Sequence, residues 1–117
     1  MSATLPLAAA TYGFLYHLSL EDSLREIAEA GFELVELSAS PPHIDLSDFT
    51  SEKRRRLNQE LERLQLRCVA TNAIELNPTS ANEQLSHATF HQYRTAIELA
   101  ADVGADSVVM ITGRMRV

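Results

Sequence analysis

The chain has one cysteine, Cys68, so no internal disulfide can form, and a lone thiol fits a reducing compartment such as the cytoplasm. Positive charge is in short supply. Ten Lys and Arg stand against 16 Asp and Glu, a net charge of −6, which argues against binding nucleic acid by neutralising its phosphates. No apolar run approaches the ~20 residues needed to cross a bilayer. The apolar start, Leu5-Pro6-Leu7-Ala8-Ala9-Ala10, has no Lys or Arg before Arg25, so it reads as a first strand and not as a signal peptide. Glycine is scarce, and no Gly-x-Gly-x-x-Gly or phosphate-loop motif occurs; the segment after the first candidate strand reads Tyr12-Gly13-Phe14-Leu15-Tyr16-His17. No Ser/His/Asp set has a recognisable nucleophile motif. These absences argue for no nucleic acid and no membrane among its partners.

What is present is a repeating junction. Ile27-Ala28-Glu29-Ala30-Gly31 leads into Leu34-Val35-Glu36-Leu37, and Ala100-Ala101-Asp102-Val103-Gly104 leads into Ser107-Val108-Val109-Met110-Ile111. Glycine just past a helix accepts φ > 0 without a Cβ penalty. Gly31 and Gly104 lie 73 residues apart, and the stretch from Leu61 to Ala70 supplies a third junction between them. A β/α unit repeating every ~36 residues is therefore the expected framework.

In order, the patterns predict a strand over residues 8–14 and a helix capped by Ser19, with Leu20, Leu24, Ile27 and Ala28 on its apolar stripe. A second strand covers residues 33–37. A polar loop holding Pro41-Pro42 precedes a second helix, which starts near Ser51 and turns Leu57, Leu61 and Leu64 inward. The run Lys53-Arg54-Arg55-Arg56 has Glu52, Glu60 and Glu62 beside it, so it reads as a solvated face. A third strand over residues 67–71 carries Cys68 as a small core residue. A third helix follows, with Phe90, Tyr93, Ile97, Ala100 and Ala101 on one face, and a fourth strand spans residues 107–111.

The turns from helix into strand are short, whereas those from the second and third strands into helices are long. In parallel α/β folds the loops at the carboxyl ends of strands carry the site. Candidates there are Glu36, which could contact substrate or close a buried network; His17, an acid/base or a rim residue; and Arg114, an anion contact or a frayed terminal charge. His43 and Asp45 could reach one metal, though loop polars are more often simply solvated. His87 and His91 have i, i+4 spacing but lack the Glu of a His-Glu-x-x-His site.

Residues 22–37 (DSLREIAEAGFELVEL), residues 92–109 (QYRTAIELAADVGADSVV) and the ending Thr112-Gly113-Arg114, in that order and spacing, resemble the N-terminal half of the sugar phosphate isomerase/epimerase family, in the xylose-isomerase-like TIM barrel superfamily. The resemblance implies an α/β fold of (β/α) TIM-barrel type, with residues 1–117 forming about strands 1–4 and helices 1–3. It also implies a sugar or sugar-phosphate substrate, a divalent metal (Mn, Zn or Co), and metal-assisted proton transfer beside a sugar carbonyl. In that family the metal ligands lie in the second half of the barrel. The expectation is therefore an incomplete chain that is inactive alone. One rival is a metal-dependent DNA-repair endonuclease of the same superfamily. Another is a non-catalytic half-barrel binding or assembly module, a possible homo-oligomer through its open strand edges.

Overall fold

The computed structural model describes residues 5–73 and 77–111. Four strands, β1 (Ala8–Ala10), β2 (Leu34–Ser38), β3 (Arg67–Ala73) and β4 (Ser107–Met110), alternate with helices α1 (Leu20–Glu29), α2 (Ser51–Arg63) and α3 (Glu83–Asp102). All strand pairs are parallel, in the order β1-β2-β3-β4. A doubly wound nucleotide-binding sheet reverses its strand order at a switch point. Here spatial order follows sequence order throughout, which is the arrangement of a partial TIM barrel.

The helices cover one face. Val35 and Leu37 of β2 and Cys68 and Ala73 of β3 meet Leu24 and Ile27 of α1, Leu57 and Leu61 of α2, and Tyr93, Ala96 and Leu99 of α3 in one core. The other face carries Ala8, Ala10, Glu36, Ala70, Asn72 and Val109, set there by the parallel registers. After Val35 the β2–β3 register slips: Val35 lies opposite Cys68 but Glu36 lies opposite Ala70, leaving Val69 without a counterpart. This bulge brings Ala70 and Asn72 onto the face of Glu36.

Each helix ends in the same way. Beyond α1, Gly31 takes φ +95° and beyond α3, Gly104 takes φ +75°. The amides there reach back to orphan carbonyls of the last helical turn in matching pairs: Gly31 N–H to Ala28 O and Phe32 N–H to Ile27 O, then Gly104 N–H to Ala101 O and Ala105 N–H to Ala100 O. These are Schellman ends. The third junction has one too, with Gln65 N–H on Glu62 O and Leu66 N–H on Leu61 O, but there Gln65 holds φ +56°. Glutamine at this point tolerates a backbone that a Cβ disfavours.

Helix starts are capped by side chains. Ser19 Oγ accepts from Asp22 N–H at 3.1 Å, Thr50 Oγ1 from Lys53 N–H at 3.3 Å, and Asn82 Oδ1 from Gln84 and Leu85 N–H. The Asp22 carboxylate turns forward to Arg25 at 2.8 Å, so it does not complete a capping box. The basic run on α2 is a paired surface, as expected, with Arg56 on Glu52 and Lys53 on Asp48. Arg54 differs: it joins α2 to the end of α3 through Asp102 at 2.7 Å, beside the bond from Asn58 Nδ2 to Asp102 O.

Two expectations are corrected. The first strand does not run to residue 14; it stops at Ala10, and residues 11–14 form a 3₁₀ turn that buries Thr11 and leads to buried Leu15. A short apolar run cannot by periodicity alone be told from such a turn. On α3 the buried face is Thr89, Tyr93, Ala96, Leu99 and Ala100, and Phe90 and Ile97 are exposed. Both registers fit a 3.6-residue period. The structure takes the one with smaller residues because it lets α3 close onto β3 and β4, with Tyr93 Oη donating to Ile111 O at 2.6 Å.

The helix-end geometry predicts opposite effects at two equivalent positions. A Cβ at Gly31 would meet no atom within 4 Å, so the cost of a side chain there is conformational. Gly31→Val is expected to lower stability by about 1 kcal/mol or more. Gln65→Gly is expected to raise it by about 0.5–1 kcal/mol. Urea midpoints at unchanged m-value are the measurement; equal midpoints for all three proteins would refute both.

Candidate active site at the carboxyl ends of the strands

The strands end among polar side chains. Thr11, fully buried, accepts the amide of Ser38 on its Oγ1 at 2.9 Å, and the Ala39 amide donates to Asn72 O at 2.8 Å. The carboxyl ends of β1, β2 and β3 are thereby tied together around Glu36 and Asn72. Asn72 Nδ2 donates to Glu36 Oε1 at 3.0 Å across the face away from the helices. The second carboxylate oxygen of Glu36 has no partner among the described residues, and the side chain is half-buried. Asn72 Oδ1, Thr71 Oγ1 and Ser40 Oγ are buried polar atoms with no hydrogen bond, as is His43 Nδ1. Each such atom costs roughly 1–3 kcal/mol when left unmade. Three of the four lie on β3 and just beyond β2, and unmet hydrogen-bonding capacity gathers where ligands or ordered water are met.

Glu36 stands on β2, paired to Asn72, which lies just past the third strand as read from the sequence, in the stretch expected to carry function, and is not among the candidate residues named there. A polar side chain closing the run Cys68-Val69-Ala70-Thr71 was the available signal. His17 is exposed, and its imidazole makes no hydrogen bond among the described residues; it is not brought to Glu36 by any contact. Arg114 and the Thr112-Gly113-Arg114 ending lie outside the described residues. His43 and Asp45 are not brought together. His43 Nε2–H donates to Leu18 O at 2.8 Å, with Ser23 Oγ at 3.5 Å, which anchors the loop to the start of α1. The Asp45 carboxylate instead takes the hydroxyl and amide of Ser47, in that order of effect, and these hold it below its usual pKa. His87 and His91 are exposed on α3. Among the described residues no group of three or more His, Cys, Asp or Glu could hold a metal ion.

A cavity of about 680 Å³ lies elsewhere, between α1 and α2 on the outer layer, floored by Leu20, Leu24, Phe49 and Leu57. Its rim cations are already matched, Lys53 to Asp48, Arg56 to Glu52 and Arg63 to Glu60. The strand ends, with polar atoms left unpaired, are the better chemical candidate.

Cys68 lies directly behind this site in the core, 1% exposed, with its thiol donating to Ala70 O. Burial, joined by the nearby charge of Glu36, pushes its pKa from 9.0 to about 11 against the opposing backbone amides of Ala70 and Leu37. The thiol is a protonated core group and not a nucleophile.

The chain matches the Xylose isomerase-like TIM barrel family over residues 24–116. It belongs to that family. No curated protein matches it. Among solved structures it is similar to a D-tagatose 3-epimerase-like protein, with TM-score 0.77 and 24% identity over 96% of this chain and 39% of the other. It is also similar to an AP endonuclease, family 2, from Brucella melitensis, with TM-score 0.61 and 19% identity over 93% and 42%. A third likeness is to a sugar phosphate isomerase/epimerase from Parabacteroides distasonis ATCC 8503, with TM-score 0.55 and 17% identity over 99% and 43%. At these identities the likeness is one of fold. The chain spans about two fifths of the length of those structures. No described helix is long and apolar enough to cross a membrane.

Cys68 makes the pH dependence of stability calculable in sign. Its folded pKa is raised, so its contribution is intact below pH 9.0 and is lost as pH rises toward about 11. Stability is expected to fall across that window in the native protein and to fall less in Cys68→Ala. Parallel curves for the two proteins in chemical denaturation would exclude the thiol as the cause.

Proposed function

We propose that this chain forms the β1–β4 half of a sugar isomerase/epimerase barrel, residues 1–117 being the N-terminal half of that domain, and that Glu36 and Asn72 contact the hydroxyl groups of a small sugar. The observation that carries this reading is the Glu36–Asn72 pair, with an unpartnered carboxylate oxygen and an unbonded Asn72 Oδ1 on the face away from the helices. A carboxylate accepts from hydroxyls, and a paired amide holds it in one orientation while it does so. The epimerase and isomerase names of two fold neighbours support a sugar as the ligand class.

The divalent metal that the resemblance implies does not fit the residues described here. His43 Nε2 is engaged by Leu18 O, the Asp45 carboxylate by Ser47, and no third ligand stands near them. No step is assigned to a metal in this chain, and proton transfer beside the carbonyl belongs to a barrel with further strands. A DNA-directed role has less behind it. The only basic run lies on the outer surface of α2, matched by acids, and away from the strand ends.

Two measurements test the reading. Titration with Mn²⁺, Zn²⁺ or Co²⁺ in a calorimeter is expected to show no stoichiometric submicromolar site, and the chain alone is expected to turn over no ketose; a tight site lost on His43→Ala would overturn the metal assignment. Amide chemical shifts on adding D-tagatose should move at residues 36–40 and 70–73, and Glu36→Gln should abolish the change. Shifts confined to the α1–α2 cavity would move the ligand site there.

A further inference from the structure

The cavity of about 680 Å³ between α1 and α2 is framed entirely by residues 20–63. It belongs to the stretch of the helical layer over β2, a strand with β1 on one side and β3 on the other. Further strands of a barrel join at β1 or β4, so they extend the ring of helices on either side of this groove and do not enter it. The loop over residues 39–50 completes the walls. It sends Ile44 and Phe49 into the core, and both also line the cavity. A space of this size suits a small organic molecule.

One polar group on the wall is unmet. His43 lines the cavity, and its Nε2–H is committed to Leu18 O at 2.8 Å. In the neutral ring this leaves Nδ1 as an acceptor, and Nδ1 is buried without a hydrogen bond. What it lacks is a donor. Charge on a ligand would gain little at the rim. Lys53, Arg56 and Arg63 are matched by Asp48, Glu52 and Glu60, and the Asp45 carboxylate is held by Ser47, which leaves Glu21 without a partner among the described residues. Below the rim the floor is apolar. Phe49 on that floor and the cations of Arg56 and Arg63 above it favour an aromatic ring over an aliphatic chain.

We propose that the α1–α2 cavity is a second binding site, for a neutral aromatic alcohol whose ring lies against Leu24, Phe49 and Leu57 and whose hydroxyl donates to His43 Nδ1. The site shares no residue with the Glu36–Asn72 pair and does not depend on the sugar reading.

Amide chemical shifts of the isotope-labelled chain, titrated separately with phenol, toluene, benzoate and benzylamine, test it. Phenol is expected to move residues 20–24, 43–49 and 53–57, and to bind about threefold or more tighter than toluene, which has the ring without the donor. His43→Phe keeps a ring at that position and should erase the preference for phenol. The preference is a ratio read within one protein, so a loss of stability in the variant does not imitate it. Where the variant does not fold, the native protein decides alone. Toluene binding as tightly as phenol, shifts absent or lying outside those residues, tighter binding of benzoate or benzylamine, or a preference retained in His43→Phe would each overturn the inference.

Discussion

A parallel sheet is stable when both of its faces are covered, and here the helices cover one. That constraint governs the rest of the molecule. The helix-facing side holds Val35, Leu37 and Cys68 at 0–1% exposure and collects the apolar stripes of all three helices. The other side cannot be apolar in the same way. Besides Leu34 and Val109 its residues are small, as at Ala8, Ala10 and Ala70, or polar, as at Glu36 and Asn72. Small residues suit the crowded inside of a curved sheet, and the polar pair is admitted because each member satisfies part of the other. Chemistry and packing are thus sorted to opposite faces by a single alternation, with the bulge after Val35 bringing Asn72 into line.

Much of this was legible in the residues. The strand and helix order, the parallel fold class, the caps at Ser19 and the reversals at Gly31 and Gly104 follow from local rules, where one residue's backbone preference decides one turn. Gln65 hid the third reversal because it uses the left-handed backbone without the residue that advertises it. Glu36 was visible as an acid between Val35 and Leu37. Its partner was not, since a hydrogen bond between residues 36 apart depends on register, and the register depends on a bulge that no local pattern encodes. His43 and Asp45 failed as a pair for a related reason. Two residues apart on a loop says nothing of direction, and each side chain found a nearer backbone or hydroxyl group.

The face of α3 is the most instructive difference. Hydrophobicity favours the stripe through Phe90 and Ile97, but the sheet selects the stripe through Thr89, Ala96 and Ala100, in which Thr89 accepts the Asn77 amide at 3.3 Å. Small residues let the helix sit close to β3 and β4, and the larger ones are displaced to a flank. In a monomer that exchange would be unfavourable, since apolar area left in water forgoes about 25 cal/mol per Å². It becomes favourable if the flank is itself covered. The exposed stripe is therefore a consequence of tight helix–sheet packing.

The two ends of the sheet divide their labour on the same physical grounds. At the amino ends, helices turn into strands through Schellman reversals over residues 30–33, 64–66 and 103–106, whose amides satisfy orphan carbonyls of the preceding helical turn, and Arg67 pairs with Asp106 across them at 2.6 Å. No buried side-chain atom without a hydrogen bond lies in these turns. At the carboxyl ends the chain spends residues 39–50 between β2 and α2, and there the unmet atoms of Ser40, His43, Thr71 and Asn72 accumulate. Short, satisfied turns fix the strands' positions; long loops at the other end can then leave polar groups unpaired without loosening the fold. A ligand that met those groups would gain hydrogen bonds the protein alone does not make, which is the energetic basis for placing binding at that end.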